Sequence, residues 1–162
     1  METAPGRNFL LVTGILYIVF GGIAVLLAAY ILIMLAIAVS FVEDTMPWAS
    51  TLIFYGITAL LWALYQIIIG IMGITHRLRP EKAAMLKVFG ITDIVLIVLS
   101  PVFTWLMFAS MFEGYSEYFA VMAPLILIFG FLTLVFRLPP LILYIVGAQK
   151  NLAVHRNQIN TN

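Results

Sequence analysis

Two ionisable side chains lie inside long apolar stretches of this chain, where a charge is energetically expensive. Asp93 lies in the stretch 83–112 and Arg137 in the stretch 121–148. A charged side chain in hydrocarbon costs about 2.5 kcal/mol or more, so it faces protein, water or a partner and marks a candidate functional site. A carboxylate and a guanidinium at such depth suit a transport or proton path, or they form a structural polar cluster that sets helix register. We favour the structural interpretation.

The depths of the two charges decide whether they can meet. Asp93 follows Lys87 by six residues and Arg137 precedes Gln149 by twelve, which places them about 9 Å and about 18 Å from one membrane interface at about 1.5 Å per residue. A direct pair is therefore one possibility, and a bridge through Gln66, at an intermediate level in the second stretch, is another. Further polar neighbours in these stretches are Tyr65, Thr92 and Tyr144.

Prolines interrupt the hydrogen-bonding pattern of the last two apolar stretches. Pro139 and Pro140 remove two backbone donors close to Arg137, and Pro101 does the same in the middle of the third stretch. We expect the fourth helix to be kinked or broken there. The amino-terminal dipole of a half-helix beside a guanidinium would suit an anionic group. Alternatively, Arg137 satisfies the carbonyls that the prolines free.

The elements that must position these residues are transmembrane helices. The chain has 162 residues, 64% of them hydrophobic and 9% charged, far from the composition of a soluble domain. Each crossing needs about 20 apolar residues, and a secretory signal has a much shorter apolar core than the first stretch. We predict one integral membrane domain, an all-α four-helix bundle with up-down-up-down topology. The predicted spans are 9–39, 49–75, 83–112 and 121–148.

The distribution of charge predicts the orientation. The amino terminus, the connection between the second and third spans, and the carboxyl tail contain seven of the eight Lys and Arg residues. By the positive-inside rule, both termini are cytoplasmic. The other two connections are acidic, with interfacial aromatic residues nearby that we expect to act as anchors: Glu43, Asp44, Trp48, Glu113, Tyr115, Glu117 and Tyr118.

Small residues and a weak internal repeat predict how the helices pack. Close helix packing is expected at Ala24 with Ala28 and at Gly70 with Gly73, either within the bundle or against another copy. The halves also share short motifs, which indicate either two tandem hairpins or chance recurrence of Gly-Ile pairs. These motifs are Val12-Thr-Gly14-Ile15 with Val88-Phe-Gly90-Ile91, Phe54-Tyr-Gly56 with Ile128-Phe-Gly130, and Gly73 with Gly147.

Several classes of chemistry are disfavoured. The chain has no cysteine, and His76 and His155 lack metal-ligand spacing. It also lacks the nucleotide-binding and hydrolase motifs, so we expect neither an enzyme nor a cofactor or metal site. The few cations flank apolar stretches, so nucleic acid is not an expected partner.

Four segments of the chain carry a resemblance to known proteins: Gly70-Ile-Met-Gly73-Ile, Arg79-Pro80-Glu81-Lys82-Ala83, Gly90-Ile91 and Leu143-Tyr144-Ile-Val-Gly147-Ala148-Gln-Lys150-Asn151. In these segments, and loosely over its whole length, the chain resembles small four-span (tetraspan) membrane proteins of Gram-positive bacteria. The resemblance implies a bacterial plasma membrane and does not imply an activity.

Three functional hypotheses follow. The first is a non-enzymatic interaction or accessory protein that assembles with itself or with a membrane-protein partner, because the loops are too short to form a separate domain. The second is a small channel or transporter subunit that uses Arg137, Asp93 and Gln66. The third is binding of membrane lipids near the basic segment 76–87.

Overall fold

The structure, a computed structural model, describes residues 4–40, 47–111 and 116–160. Its helices follow one another without a strand in this described part of the chain, and four are long and apolar enough to span a membrane. They are α1 (Arg7–Ser40), α2 (Pro47–Thr75), α3 (Ala83–Met111) and α4 (Ser116–Asn160), with a 3-10 turn at Pro80–Lys82 before α3. The predicted all-α four-helix bundle is confirmed.

The connection between α2 and α3 is short and polar. The last turn of α2 is extended by a hydrogen bond from the His76 amide to the Met72 carbonyl, and the Arg79 amide then bonds to the His76 carbonyl. Pro80 starts the 3-10 turn, a position where its missing N–H costs nothing. We call the end of the bundle that holds this connection and both chain termini the basic end, and the opposite end the far end.

The closest helix pair is α1 with α2. Both helices carry small residues at intervals of seven: Gly14, Gly21 and Ala28 on α1, and Gly56, Ala63 and Gly70 on α2. A Cβ atom on Gly14 would lie 2.8 Å from the Gly70 carbonyl oxygen, and one on Gly21 would lie 3.1 Å from the Ala63 carbonyl oxygen. The two backbones therefore touch, which is the arrangement that small residues permit in membranes.

The second hairpin, α3 with α4, packs on the first mainly near the basic end. Its glycines face large side chains: Gly90 lies against Tyr144 and Ile145, and Gly147 lies against Phe9 of α1. Most of the buried core lies in this half of the bundle: Leu10, Tyr17, Ile69, Leu86, Ile97, Leu141, Tyr144 and Ala148. The predicted hairpins thus exist as packing units, while their origin by duplication stays a prediction.

The far half is packed differently. The apolar side chains that the structure describes as buried there belong to the first hairpin, namely Ala28, Leu35 and Ala49. Contacts between α2 and α3 are sparse compared with those inside each hairpin. The buried core shared by the two hairpins therefore lies toward the basic end. In the far half aromatic rings join α2 to α3, with centroid distances of 6.4 Å for Phe54 and Phe103 and 6.5 Å for Tyr55 and Phe108.

The helices are not broken at the prolines, so of the two predicted outcomes, a kink or a break, the break is not present and the kink stays a prediction. Pro101 lies within continuous α3, and Pro139 and Pro140 lie within continuous α4. The Ser100 hydroxyl donates to the Ile97 carbonyl at 2.9 Å, the same carbonyl that Pro101 leaves without its amide donor. In hydrocarbon, breaking a helix would strip more backbone groups of partners than the prolines do, so the helices continue.

The fourth helix is also longer than the span predicted for it. It continues past residue 148 to Asn160, so the carboxyl-terminal segment is a helical extension at the basic end. Asn151 anchors this extension. Its side chain is fully buried, accepts a hydrogen bond from the Gly6 amide at 2.8 Å and donates to the Arg77 carbonyl at 3.0 Å. One residue therefore joins the amino terminus, the α2–α3 connection and α4.

A candidate functional site at the junction of the two hairpins

Asp93 of α3 is fully buried, and its carboxylate is held by donors from the first hairpin. The Tyr17 hydroxyl donates to Oδ2 at 2.7 Å, and the indole N–H of Trp62 donates to Oδ1 at 3.4 Å. Tyr17 belongs to α1 and Trp62 to α2. Each carboxylate oxygen therefore has a donor, as the burial of an acidic group requires.

Arg137 of α4 lies on the other side of the same tryptophan. Its Nη2 donates to Oε1 of Gln66 at 3.1 Å. The guanidinium carbon lies 5.0 Å from the centroid of the Trp62 ring, which is a cation–π contact. Gln66 is 2% exposed, whereas Arg137 keeps part of its surface accessible.

Trp62 connects the two charges. Its edge donates to Asp93 and its face receives Arg137, so in the described part of the chain the acid and the base meet through an indole and not in a direct ion pair. The sequence left two possibilities open, a direct pair and a bridge through Gln66. Gln66 does contact Arg137, as expected, but its hydrogen bond continues no further toward Asp93.

Sequence reasoning overlooked Tyr17 and Trp62 because aromatic residues in apolar helices usually face lipid. A signal was nevertheless present. Trp62 lies in the middle of α2, far from the interfaces where tryptophan normally finds water for its N–H. A tryptophan at such depth needs an acceptor, and Asp93 is the one intramembrane carboxylate that the sequence offers.

A layer of tyrosine closes the bundle between this cluster and the basic end. Tyr144 is fully buried and its hydroxyl donates to the Ile69 carbonyl at 3.3 Å. Its ring lies edge-on to that of Tyr17, with centroids 5.8 Å apart. A Cβ atom on Gly73 would lie 2.7 Å from a ring carbon of Tyr144, so a larger residue there would displace the ring, and one on Gly90 would lie 3.2 Å from the other side of the ring, which is a tight contact.

A cavity of about 540 Å³ lies in the far half of the bundle, between all four helices. Arg137 and Trp62 line it toward the basic end, and Tyr55, Phe108 and Leu125 line it toward the far end. The remaining lining residues are Ala24, Leu27, Ala28, Ile31, Ala59, Ala63, Ser100, Pro101, Thr104, Gly130 and Thr133. The cavity is partly open and its walls are mostly apolar.

The other predicted site residues divide between this cavity and the packed half. Pro101, Ala24 and Ala28 line the cavity. Gly70 packs against Gly14 and Gly73 against Tyr144, so for these two glycines the packing partner lies within the same chain. Pro140 lines a small space beside Gln66, Tyr17 and Arg137, whereas Pro139 is exposed.

The predicted loop acids and interfacial anchors lie outside the described side chains: Glu43, Asp44, Trp48, Glu113, Tyr115, Glu117 and Tyr118.

Four long apolar helices around a buried polar cluster define an integral membrane protein of the all-α, four-helix class. No family model, no curated protein and no solved structure matches this chain. Its function is therefore inferred from its own residues.

Proposed function

We propose that this protein is a non-enzymatic membrane interaction protein that assembles with a second copy of itself, or with another membrane protein, through faces embedded in the bilayer. The resemblance to tetraspan proteins of Gram-positive bacteria favours a bacterial plasma membrane, and the cation distribution favours cytoplasmic termini. On that orientation the basic end faces the cytoplasm and the far end faces outward.

The observation that carries the proposal is the division of the bundle into a packed half and an open half. A self-contained four-helix bundle buries its apolar seams along its full length. Here an apolar-walled cavity lies between the hairpins in the far half, where the described contacts between α2 and α3 include two pairs of aromatic rings, Phe54 with Phe103 and Tyr55 with Phe108. The loops are short, so contacts with a partner must come mainly from membrane-embedded surfaces.

The polar cluster supports a role in holding the hairpins in one arrangement, as opposed to a catalytic role. The hydrogen bonds of Asp93 and Arg137 all run between helices, from α1 and α2 to α3 and from α4 to α2. Intramembrane polar groups that pair across helices fix register and orientation. Such a cluster would present the outer helix faces to a partner in a defined geometry.

Cysteine crosslinking in native membranes tests the assembly, because the chain has no cysteine of its own. Leu26 on α1 and Phe136 on α4 are each 72% exposed and face away from the core. We expect Leu26→Cys or Phe136→Cys to give a disulfide-linked dimer under mild oxidation, or a crosslink to a distinct membrane protein. Ala63→Cys is the control, since Ala63 is 2% exposed and inside the chain.

A dimer that forms equally with Ala63→Cys would indicate random collision or unfolding. A protein that remains a monomer in several lipids and gives no crosslink at either exposed position would overturn the assembly proposal.

A transport function is the second candidate, favoured by the position of Arg137 at the inner end of the cavity. Transport requires the cavity to open to the cytoplasm in a second state. The layer of Tyr17, Asp93 and Tyr144 would then have to separate, because these side chains are buried between the cavity and the basic end. Access of a thiol reagent to Ala59→Cys from both sides of the membrane is the measurement that would favour transport.

A further inference from the structure

The cavity in the far half has the features of a ligand site. We propose that it binds an anionic amphiphile, a molecule with a phosphate or carboxylate head and a hydrocarbon chain, with the head on Arg137 and the chain along the apolar walls. This inference goes beyond the assembly proposed above and does not depend on it, because the cavity lies within one chain.

Arg137 has a side chain suited to binding an anionic head. A guanidinium has five N–H donors in a planar fork that matches phosphate and carboxylate oxygens. In the described structure, the hydrogen bond of Arg137 to Gln66 uses Nη2, and the guanidinium carbon lies 5.0 Å from the centroid of the Trp62 ring. Arg137 also lines the cavity, so its side chain is within reach of a ligand there.

The two charged residues beside Trp62 differ in whether they line the cavity. Asp93 is fully buried, and both of its oxygens are already bonded to Tyr17 and Trp62. The carboxylate does not line the cavity, whereas the guanidinium does. A ligand in the cavity therefore meets the positive member of the pair, and hydrocarbon strengthens that attraction because it screens charge poorly.

The size of the cavity and the chemistry of its walls favour an amphiphile over a small free anion. A volume of about 540 Å³ falls in the range of about 300–1,000 Å³ that small-molecule sites occupy. A lone phosphate would leave most of this apolar-walled space without a partner. Leu27, Ile31 and Leu125 line the cavity and are 57%, 51% and 46% exposed, so its wall continues into the apolar surface of the helices. A ligand can enter from the bilayer with its chain still in an apolar medium.

A protection experiment tests the proposal on the full chain in phosphatidylcholine nanodiscs at one protein copy per disc. Ala59 lines the cavity and is small, so Ala59→Cys places a unique thiol there. The rate of its reaction with an uncharged maleimide is measured with increasing hexadecyl phosphate, hexadecanol or inorganic phosphate. We expect hexadecyl phosphate to slow the reaction, with hexadecanol far weaker and inorganic phosphate without effect.

Variants at the cation identify the contact. In the Ala59→Cys background, Arg137→Gln should raise the concentration of hexadecyl phosphate needed for half-protection at least about tenfold, because it removes a charge-assisted hydrogen bond. Arg137→Lys keeps the charge and should lose less. Lys150→Gln is the matched control, since Lys150 lies over the Phe9 ring outside the cavity and should leave protection unchanged.

Other outcomes would overturn the proposal. Equal protection by hexadecanol would mean that the cavity takes hydrocarbon without recognising charge, and protection by inorganic phosphate alone would mean a free-anion site. The comparison of headgroups needs no change at Arg137, so it remains decisive if a variant there fails to fold. Because each disc holds a single copy, ligand binding is tested without assembly. A failure of the dimer proposal would therefore leave the result on ligand binding unchanged.

Discussion

At the scale of single residues, the site is organised by Trp62 more than by either charge. An indole offers a donor at its edge and an attractive face for a cation, so one side chain can satisfy an acid and a base that never touch. The Tyr17 hydroxyl completes the shell of Asp93 at 2.7 Å. Removing the Tyr17 hydroxyl leaves one oxygen of the fully buried carboxylate without a donor. This loss should lower the free energy of unfolding by a measurable amount.

We expect Tyr17→Phe to lower the free energy of unfolding by about 1–3 kcal/mol, the usual penalty for an unsatisfied buried group. The measurement is reversible unfolding in mixed micelles of mild detergent and dodecyl sulfate. Tyr30→Phe is the control, because Tyr30 lies on the same helix and is 61% exposed. It should leave stability nearly unchanged, and equal losses in both variants would show that the Asp93 contact contributes nothing specific.

At the scale of secondary-structure elements, the first hairpin is held by backbone contact between α1 and α2. The seven-residue spacing of small residues leaves positions on one face of each helix without a large side chain, so main-chain atoms of the two helices come into dispersion contact there. The second hairpin has larger side chains at its interface, such as Tyr144 against Gly90. The two hairpins are therefore alike in topology and different in the closeness of their helices.

Gly70→Ala should destabilise the protein although alanine is the better helix former. A Cβ atom at Gly70 would lie 2.6 Å from the Gly14 carbonyl oxygen, a backbone atom that cannot move without separating the helices. We expect a loss of about 1–3 kcal/mol from this overpacking, measured by the same unfolding titration. Gly22→Ala is the matched control, since nothing lies within 4 Å of its added Cβ. It should be neutral or stabilising by up to about 1 kcal/mol, and a loss at Gly22 equal to that at Gly70 would contradict the close approach.

At the scale of the whole molecule, packing is uneven along the membrane normal. The basic half is closed by tyrosine rings and by Asn151, which joins three segments of the chain. The far half holds the cavity. With the orientation proposed from the cations, the cavity belongs to the outer half of the membrane.

The open half predicts a difference in reactivity between two neighbouring positions of α2. Ala59 lines the cavity, whereas Leu61 is 62% exposed and is not among the lining residues. With a charged, membrane-impermeant thiol reagent added outside intact cells, Ala59→Cys should react faster than Leu61→Cys, because Ser100, Thr104 and Arg137 give the cavity polar groups that can hold water, whereas the exposed Leu61 faces lipid. Reaction of Ala59→Cys from the cytoplasmic side as well would favour transport. Equal reactivity of the two positions would mean that no outward cavity separates them.

Much of this architecture could be read from the sequence. Apolar stretches of adequate length determine the number and approximate limits of the helices, because hydrocarbon leaves a spanning backbone no alternative to helical hydrogen bonding. The same argument singled out Asp93 and Arg137, since charges in such stretches are costly. It did not decide between a kink and a break at the prolines, because local rules for proline do not include the free-energy cost of breaking a helix in lipid, which exceeds the loss of single hydrogen bonds. The continuous α4 through Pro139 and Pro140 is the result of that balance.

What the sequence determined by itself is therefore the membrane environment, the number of helices and the presence of two charges inside the apolar stretches. Only the tertiary structure decided that Trp62 lies between those charges, that Tyr17 and not Gln66 donates to Asp93, and that a cavity lies between the hairpins in the far half. The physical reason is that hydropathy depends on composition within one segment. The residues that become hydrogen-bond partners of an intramembrane polar group depend on how helices far apart in the chain are rotated and shifted along the membrane normal. Close packing, such as that of Gly14 against Gly70, sets this rotation and shift.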